Sequence, residues 1–433
     1  MNITKKKVAF HTLGCKLNFA ETSTLSRSFP EDRFERVPAG RQADIYVINT
    51  CSVTDAADKK CRQAIKKFIQ RSPEAFICVV GCYAQLNPQE ISAIPGVDLV
   101  LGTNEKFDLP GYIGNHPVKV KPEIHSGDLS KDDPFNLSYS AGDRTRSFLK
   151  VQDGCDYGCT YCTIPKARGN SKNPAIYDLV GQALNISARG VKEVVLTGVN
   201  IGDFGRSTGN TFSELLNELV KVPGIERYRL SSVEPNLLTD ELIAFASVNP
   251  KVLPHFHIPL QSGSNKILGL MRRRYNRDVF SDRVSVIKRL IPAAGIGADV
   301  ITGFPGENDR DFEDTYHFLE DLPLSYLHVF TFSERPGTIA ANLPDKVNNS
   351  EKENRSRRLI DLSRRKRREF VQVNMGSVAE VLFENTRYNG MMTGYTGNYI
   401  KVEYPWQPYL AGKIKHVRLE GVSENGNVKI NLI

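Results

Sequence analysis

The chain lacks any apolar run approaching the roughly 18 residues that a membrane-spanning helix needs, which excludes a helical membrane protein. An export signal is lacking too. Met1-Asn2-Ile3-Thr4-Lys5-Lys6-Lys7 is basic, but the apolar stretch after it is only Val8-Ala9-Phe10, too short for a signal core. Eight cysteines without export exclude a disulfide framework and point to reduced thiols used for metal. A cytoplasmic protein with no membrane partner is expected. What is present is globular in character, with 40% hydrophobic and 24% charged residues over 433, a length for two or three domains. A net charge of +8 is compatible with a nucleic-acid partner without requiring one.

The most informative stretch is Cys155-Asp156-Tyr157-Gly158-Cys159-Thr160-Tyr161-Cys162, just after the strand-like Phe148-Leu149-Lys150-Val151. No fourth cysteine lies nearby to close a tetrahedral zinc site. Three thiolates can hold three corners of a cubic iron–sulfur cluster and leave one iron open, as a catalytic centre requires. The competing reading is a zinc knuckle. The C-x3-C-x2-C spacing, with aromatic Tyr161 before the last cysteine, resembles the radical S-adenosylmethionine enzymes. That resemblance implies that Cys155, Cys159 and Cys162 hold a [4Fe-4S] cluster whose open iron chelates S-adenosylmethionine. The reduced cluster then cleaves it to a 5′-deoxyadenosyl radical.

In the N-terminal third, three short apolar runs each end at a cysteine: Val8–Gly14 before Cys15, Asp44–Thr50 before Cys51, and Phe76–Gly81 before Cys82. Such runs suit buried parallel strands, and the helical stretches between them, such as Ala57 to Arg71, imply a small flavodoxin-like α/β sheet. Ligands gather beyond the C-terminal strand ends of such sheets, so the three thiols are expected to converge into a second site with one open iron. Cys61 and Cys78 lie elsewhere on the pattern and read as small core residues. Thr12-Leu13-Gly14-Cys15-Lys16-Leu17-Asn18, Asn49-Thr50-Cys51-Ser52-Val53-Thr54 and Gly81-Cys82-Tyr83-Ala84-Gln85 resemble the auxiliary-cluster motifs of the methylthiotransferases. The resemblance likewise assigns Cys15, Cys51 and Cys82 to an auxiliary [4Fe-4S] cluster.

From Phe148 onward six apolar runs alternate with helical patterns, which predicts a partial (βα)6 barrel open on one side, where a macromolecule could enter. Functional groups belong at the C-terminal strand ends. The second strand ends in Thr197-Gly198-Val199-Asn200, where glycine permits close approach of a ligand. The resemblance places the methionine moiety there, near Gly198 and Asn200, although the generic Gly-Gly-Glu is absent. After the third strand, Glu234 could accept hydrogen bonds from a ribose or be a surface carboxylate. The fourth is followed by Pro259-Leu260-Gln261-Ser262, with Gln261 a candidate contact. The fifth is followed by Gly303-Phe304-Pro305, similar to a glycine–proline motif near the adenine, and the sixth by Ser333-Glu334-Arg335-Pro336. His255 and His257 share a strand face and read as core or supporting histidines, because no acidic partner or third ligand lies nearby in sequence. Met271-Arg272-Arg273-Arg274-Tyr275 reads as a phosphate-facing patch or an ordinary solvated helix end.

Lys346 to Met375 predicts a long helix with ten Lys/Arg against four Asp/Glu, a basic face for RNA or a solvated linker helix. Beyond Ser377, turn signals at Asn389-Gly390, Thr396-Gly397-Asn398 and Asn425-Gly426-Asn427 separate short strands of a small antiparallel β-barrel. This part resembles the TRAM domain, an RNA-binding barrel. The expected organisation is an N-terminal methylthiotransferase domain over 1–125, a linker over 126–142, a radical S-adenosylmethionine core with its basic helix over 143–375, and the barrel over 376–433.

Over the whole chain the resemblance is to the MtaB branch of the methylthiotransferases. It implies insertion of a methylthio group at C2 of N6-threonylcarbamoyladenosine in the tRNA anticodon stem-loop. It also implies an electron donor of flavodoxin or ferredoxin type and a sulfur source. Isopentenyl-adenosine tRNA or a ribosomal-protein aspartate are the alternative substrates. A non-catalytic RNA-binding iron–sulfur protein is the alternative of another class.

Overall fold

A computed structural model describes residues 5–114, 121–142 and 144–433, so the first four residues of the basic N-terminal stretch lie outside the described residues. Six strands form the first sheet: β1 (Lys6–Thr12), β2 (Phe34–Val37), β3 (Ile45–Thr50), β4 (Phe76–Gly81), β5 (Leu99–Leu101) and β6 (Glu123–His125). Their spatial order is β2-β1-β3-β4-β5-β6, every pair parallel. Chain order reverses between β1 and β3, which makes their C-terminal ends the switch point where ligands bind in open α/β sheets.

Strand β3 is buried along its whole length because helices cover both faces. On one side, Cys61, Ile65 and Phe68 of the helix Asp55–Arg71 pack on Tyr46, Ile48 and Val79. On the other, Leu25, Phe29 and Leu109 pack on Val47, Cys78 and Val80. Cys61 and Cys78 are therefore core residues, as their positions in the pattern suggest. Each buried Ile or Val here contributes about 1.5–3 kcal/mol.

The central region contains β7 (Ser147–Lys150), β8 (Glu193–Thr197), β9 (Arg227–Leu230), β10 (His255–Gln261), β11 (Gly295–Thr302) and β12 (Tyr326–Thr331). Two three-stranded parallel sheets, β7-β8-β9 and β10-β11-β12, are joined by the bridges Tyr228–Val252 and Ser232–His257. The result is an open six-stranded half-barrel in sequence order. Five of its helices start at side-chain caps, Thr211, Thr239, Ser264, Asn276 and Asn308, each accepting a backbone N–H. Such caps stabilise by about 1 kcal/mol each.

A helix lies along each edge of the half-barrel. The helix Lys16–Ser28 lies against β7, with Phe19 and Phe148 edge to face at 6.4 Å. Residues 138–141 strap it there: the Tyr139 carbonyl accepts from Arg27 at 2.7 Å, and the Ala141 N–H donates to Ser23 Oγ at 3.0 Å. At the other edge the helix Asn349–Val373 lies on β12. Part of the positive charge that the sequence offers to RNA is paired with the half-barrel here, while Lys346, Arg357, Arg364, Arg367 and Arg368 stay exposed. Arg355 pairs with Glu307 at 2.7 Å, Arg358 with Glu313 at 2.5 Å and Arg365 with Glu320 at 2.5 Å.

The last strands are β13 (Val378–Tyr388), β14 (Met391–Thr396), β15 (Lys401–Pro405), β16 (Ile414–Val422) and β17 (Val428–Leu432), a closed barrel of order β13-β14-β15-β17-β16. The turns at Asn389-Gly390, Gly397-Asn398 and Asn425-Gly426 connect strands as expected. Four pairings are antiparallel and the closing pair β15–β17 is parallel. Among the described residues no helix is long and apolar enough to cross a membrane.

Candidate active site

Cys15 precedes the helix Lys16–Ser28, Cys51 follows β3 directly, and Cys82 opens the short helix Cys82–Leu86 after β4. The turns that present them are fixed from beneath. Asn18 Nδ2 donates to Leu13 O at 2.8 Å and Thr50 O at 2.9 Å, and Thr50 Oγ1 donates to Val80 O at 2.6 Å. Gly14 and Gly81 have φ of +103° and +98°. A Cβ on Gly14 would come within 2.5 Å of Cys51 Cβ and 3.0 Å of its Sγ, so the first two cysteine turns abut. Burial, then the neighbouring Cys82 and Cys15, push the Cys51 thiol up to about 12, and burial also raises Cys82. Thiols crowded this way resist ionisation unless a metal takes up the charge, so the donor set fits a thiolate-bound cluster.

The second triad follows β7. Gly154, at φ +68°, packs where a Cβ would overlap the Asn170 carbonyl. Backbone N–H groups of Tyr157 and Ile164 point at Cys155 and Cys162 Sγ, both at 3.4 Å. Arg273 Nη1 donates to Cys159 Sγ at 2.9 Å and to the Tyr161 hydroxyl at 3.3 Å, and the same guanidinium pairs with Glu234. Burial pushes Cys155 up to about 12 and Cys162 to about 11. Glu234 is also raised by burial, with Arg273 opposing.

The loop after β8 carries the observation that bears on a ligand. Gln152 Oε1 accepts the N–H groups of Val199 at 3.0 Å and Asn200 at 2.9 Å, which fixes the turn and brings Gly198 against the glutamine. Asn200 is buried, and neither its amide nitrogen nor its amide oxygen has a partner; Asp203 Oδ2 is buried and unpartnered too. Buried polar groups are rarely left so. An orphaned amide and carboxylate beside the Cys155 loop fit the amino and carboxylate ends of S-adenosylmethionine. Of the other residues picked from sequence, Gln261 sits at φ +70° on a bulge ending β10. Gly303, at φ +71°, packs on Lys352, and Pro305 is buried in the same loop.

A cavity of about 780 Å³ opens where the first sheet, the half-barrel and the terminal barrel meet. Cys15, Cys51 and Gly198 line it, together with Ser231, His257 and Tyr399. Cys155, Cys159, Cys162, Asn200 and Glu234 do not reach its walls.

Residues 7–102 match the uncharacterized protein family UPF0004, and residues 149–319 match the radical SAM superfamily. The threonylcarbamoyladenosine tRNA methylthiotransferase MtaB of Bacillus subtilis is 41% identical over 95% of this chain and 93% of its own. That of Aquifex aeolicus is 40% identical over 92% and 96%. This chain belongs to the radical SAM methylthiotransferase family. A family member acting on another base, tRNA-2-methylthio-N(6)-dimethylallyladenosine synthase of Acetivibrio thermocellus, is 30% identical over 96% of this chain and 89% of its own. Among solved structures, the radical S-adenosylmethionine methyltransferase TsrM of Kitasatospora setae shares the fold, with a TM-score of 0.55 at 14% identity over 78% of this chain and 77% of that one.

Several side chains of this methylthiotransferase escape a reading by sequence. His257 does have an acidic partner and a second histidine, contrary to the expectation from sequence proximity. Asp299 Oδ1 lies 3.0 Å from His257 Nε2 and 3.3 Å from His328 Nδ1, because parallel pairing sets β10, β11 and β12 side by side. Arg273 is neither solvated nor phosphate-facing, since it is buried on Glu234 and Cys159. A fully buried ion network joins the two cysteine sites from behind. Glu21 takes Lys106 at 2.6 Å, Lys150 at 3.2 Å and Arg168 at 3.0 Å, while Asp153 takes Lys150 at 3.0 Å and Arg168 at 2.9 Å. Arg168 also donates to Asn18 Oδ1 at 2.6 Å, beneath the Cys15 turn. Arg335, from the string after β12, reaches Asp58 at 2.6 Å and Ser52 at 2.8 Å beside Cys51.

Proposed function

We propose that this methylthiotransferase inserts a methylthio group at C2 of N6-threonylcarbamoyladenosine at position 37 of tRNA, beside the anticodon. Cys155, Cys159 and Cys162 would hold the [4Fe-4S] cluster that binds S-adenosylmethionine, and Cys15, Cys51 and Cys82 the auxiliary one. When bound, these groups would supply a radical able to take hydrogen from an unactivated C–H bond and would hold the externally supplied sulfur that replaces it. The observation that carries the reading is the pair of three-thiol sites, each at the C-terminal strand ends of its own sheet, with a cavity at the junction.

The protein's own residues then have defined work. Asn200 and Asp203 orient the polar ends of S-adenosylmethionine. Arg273 holds Glu234 and Cys159 in place, with Tyr161 against the same guanidinium. The cavity holds the modified base and keeps bulk water from the reacting carbon. A flavodoxin- or ferredoxin-type donor supplies electrons, a separate source supplies sulfur, and the work is cytoplasmic. Greater identity to relatives named for threonylcarbamoyladenosine than to those named for dimethylallyladenosine supports this substrate.

The test is anaerobic reconstitution with iron and sulfide, followed by S-adenosylmethionine, dithionite and tRNA from cells lacking the modification. Nucleoside mass spectrometry should detect 2-methylthio-threonylcarbamoyladenosine. S-adenosylmethionine cleavage with product only on isopentenyl-adenosine tRNA, or on no tRNA, would overturn the substrate.

A further inference from the structure

Four cations and one carboxylate line the junction cavity: Lys16, Arg144, Arg146, Arg229 and Asp299. Three of the five are already satisfied. Arg146 pairs with Glu384 at 3.2 Å and lies over the Tyr395 ring at 4.7 Å. Arg229 pairs with fully buried Glu193 at 2.8 Å, donates to the carbonyls of Gly397 and Thr396, and lies over Tyr399 at 4.8 Å. Asp299 is taken by His257 and His328. Among the described residues, Lys16 and Arg144 have no carboxylate within ion-pair reach.

Their settings increase the local positive potential. Lys16 is the first residue of the helix Lys16–Ser28, whose first turn contains no acidic residue, so its charge adds to the positive end of the helix dipole. Arg144 lies over Phe19, its guanidinium carbon 4.3 Å from the ring centroid, and 5.8 Å from that of Phe148, contacts that use the ring faces and no carboxylate. In the same cavity the Ser231 hydroxyl is buried without a partner. Two cations with no carboxylate partner among the described residues and an unused hydroxyl, in a cavity large enough for a modified base, make a receptor for an anion.

We propose that Lys16 and Arg144 form a carboxylate-binding subsite that takes the carboxylate of the threonylcarbamoyl group, an inference that rests on the substrate reading above. The chemistry is discriminating. A threonylcarbamoyl group brings one negative charge and a hydroxyl, whereas an isopentenyl group brings neither and would leave both cations unpaired. The subsite thus selects between the two tRNA substrates of the family by charge rather than by size.

The test uses the reconstituted holoenzyme without reductant and three synthetic anticodon stem-loops that differ only in the modified base: threonylcarbamoyladenosine, its carboxamide, and isopentenyl-adenosine. Fluorescence anisotropy gives each Kd. Wild type should bind the carboxylate loop about tenfold more tightly than the carboxamide, the effect of one charge-assisted contact. K16M and R144Q should each bring that ratio to within about twofold, and K16R should retain it. Iron content is measured on every variant, and R144Q carries the same comparison should K16M lose iron. A ratio that survives in the K16M/R144Q double variant would overturn the subsite, as would an equal weakening of all three loops, which marks a phosphate contact. Tightest wild-type binding to the isopentenyl loop would instead overturn the substrate reading itself.

Discussion

Arg273 shows how much a single side chain carries at the residue scale. It is buried against Glu234, Cys159 and Tyr161, so removing its charge strands a buried carboxylate beside three thiols. R273Q should destabilise the protein by about 3–5 kcal/mol and empty the Cys155 site. Urea unfolding and iron analysis check this, with R273K giving little rescue because a single ammonium cannot reproduce the forked contacts. In sequence Arg273 is one of three consecutive arginines, and nothing local distinguishes it from Arg272 and Arg274. Its partner Glu234 comes from another βα unit, and only the folded barrel brings the two together. Asp299 and His328 escape the sequence for the same reason. The cysteines do not, because Cys15, Cys51 and Cys82 each follow an apolar strand run and Cys155, Cys159 and Cys162 stand out by their spacing.

At the scale of elements, the turns that present the auxiliary thiols depend on glycine. A Cβ on Gly81 would overlap Asn49 Oδ1 and lie 2.7 Å from the Thr50 carbonyl, at a φ of +98°. G81A should therefore displace Cys82 and lower auxiliary iron while sparing the Cys155 site. The matched control is G190A, where φ is +76° but nothing lies within 4 Å of the added carbon. Its cost should be only the backbone strain, about 1–2 kcal/mol, with full iron content. Comparable iron loss in both variants would rule out the close-packing explanation. Strands buried on both faces, such as Tyr46–Val47–Ile48, are legible as apolar runs. Strands β2, β5 and β6 are not: Phe34–Val37 carries two charged residues, and the other two strands are only three residues long. The basic helix is legible as a helix. The pairing of Arg355, Arg358 and Arg365 depends on Glu307, Glu313 and Glu320 of the half-barrel, which its own sequence does not contain.

For the whole molecule, the buried network around Glu21 joins the N-terminal sheet to the half-barrel. Burial alone would raise the Glu21 carboxyl, but Arg168, Lys106 and Lys150 hold it well below its ordinary 4.5, and Asp153 is lowered to about 2. Depressed carboxylates stabilise the folded state above their unfolded pKa and lose that contribution as pH falls through the folded one. E21Q should cost about 3–5 kcal/mol at neutral pH, because three buried cations lose part of their counter-charge. The difference from wild type should stay constant down to about pH 4.5 and shrink below it. Urea midpoints measured on both proteins across pH 3–7 check the sign, and a gap that widens on acidification would contradict it.

Two separate three-thiol sites, of which only the one at Cys15 and Cys51 opens on the junction cavity, are tested as cluster sites most directly by iron analysis joined to product analysis, on wild type and on a variant with Cys15, Cys51 and Cys82 all changed to Ala. Wild type should hold about eight irons per chain and the variant about four, the count of one cubic cluster. The variant should still cleave S-adenosylmethionine yet form no methylthio nucleoside. A wild-type protein with about four irons that the substitutions leave unchanged, or methylthio product from the variant, would contradict the two-site arrangement.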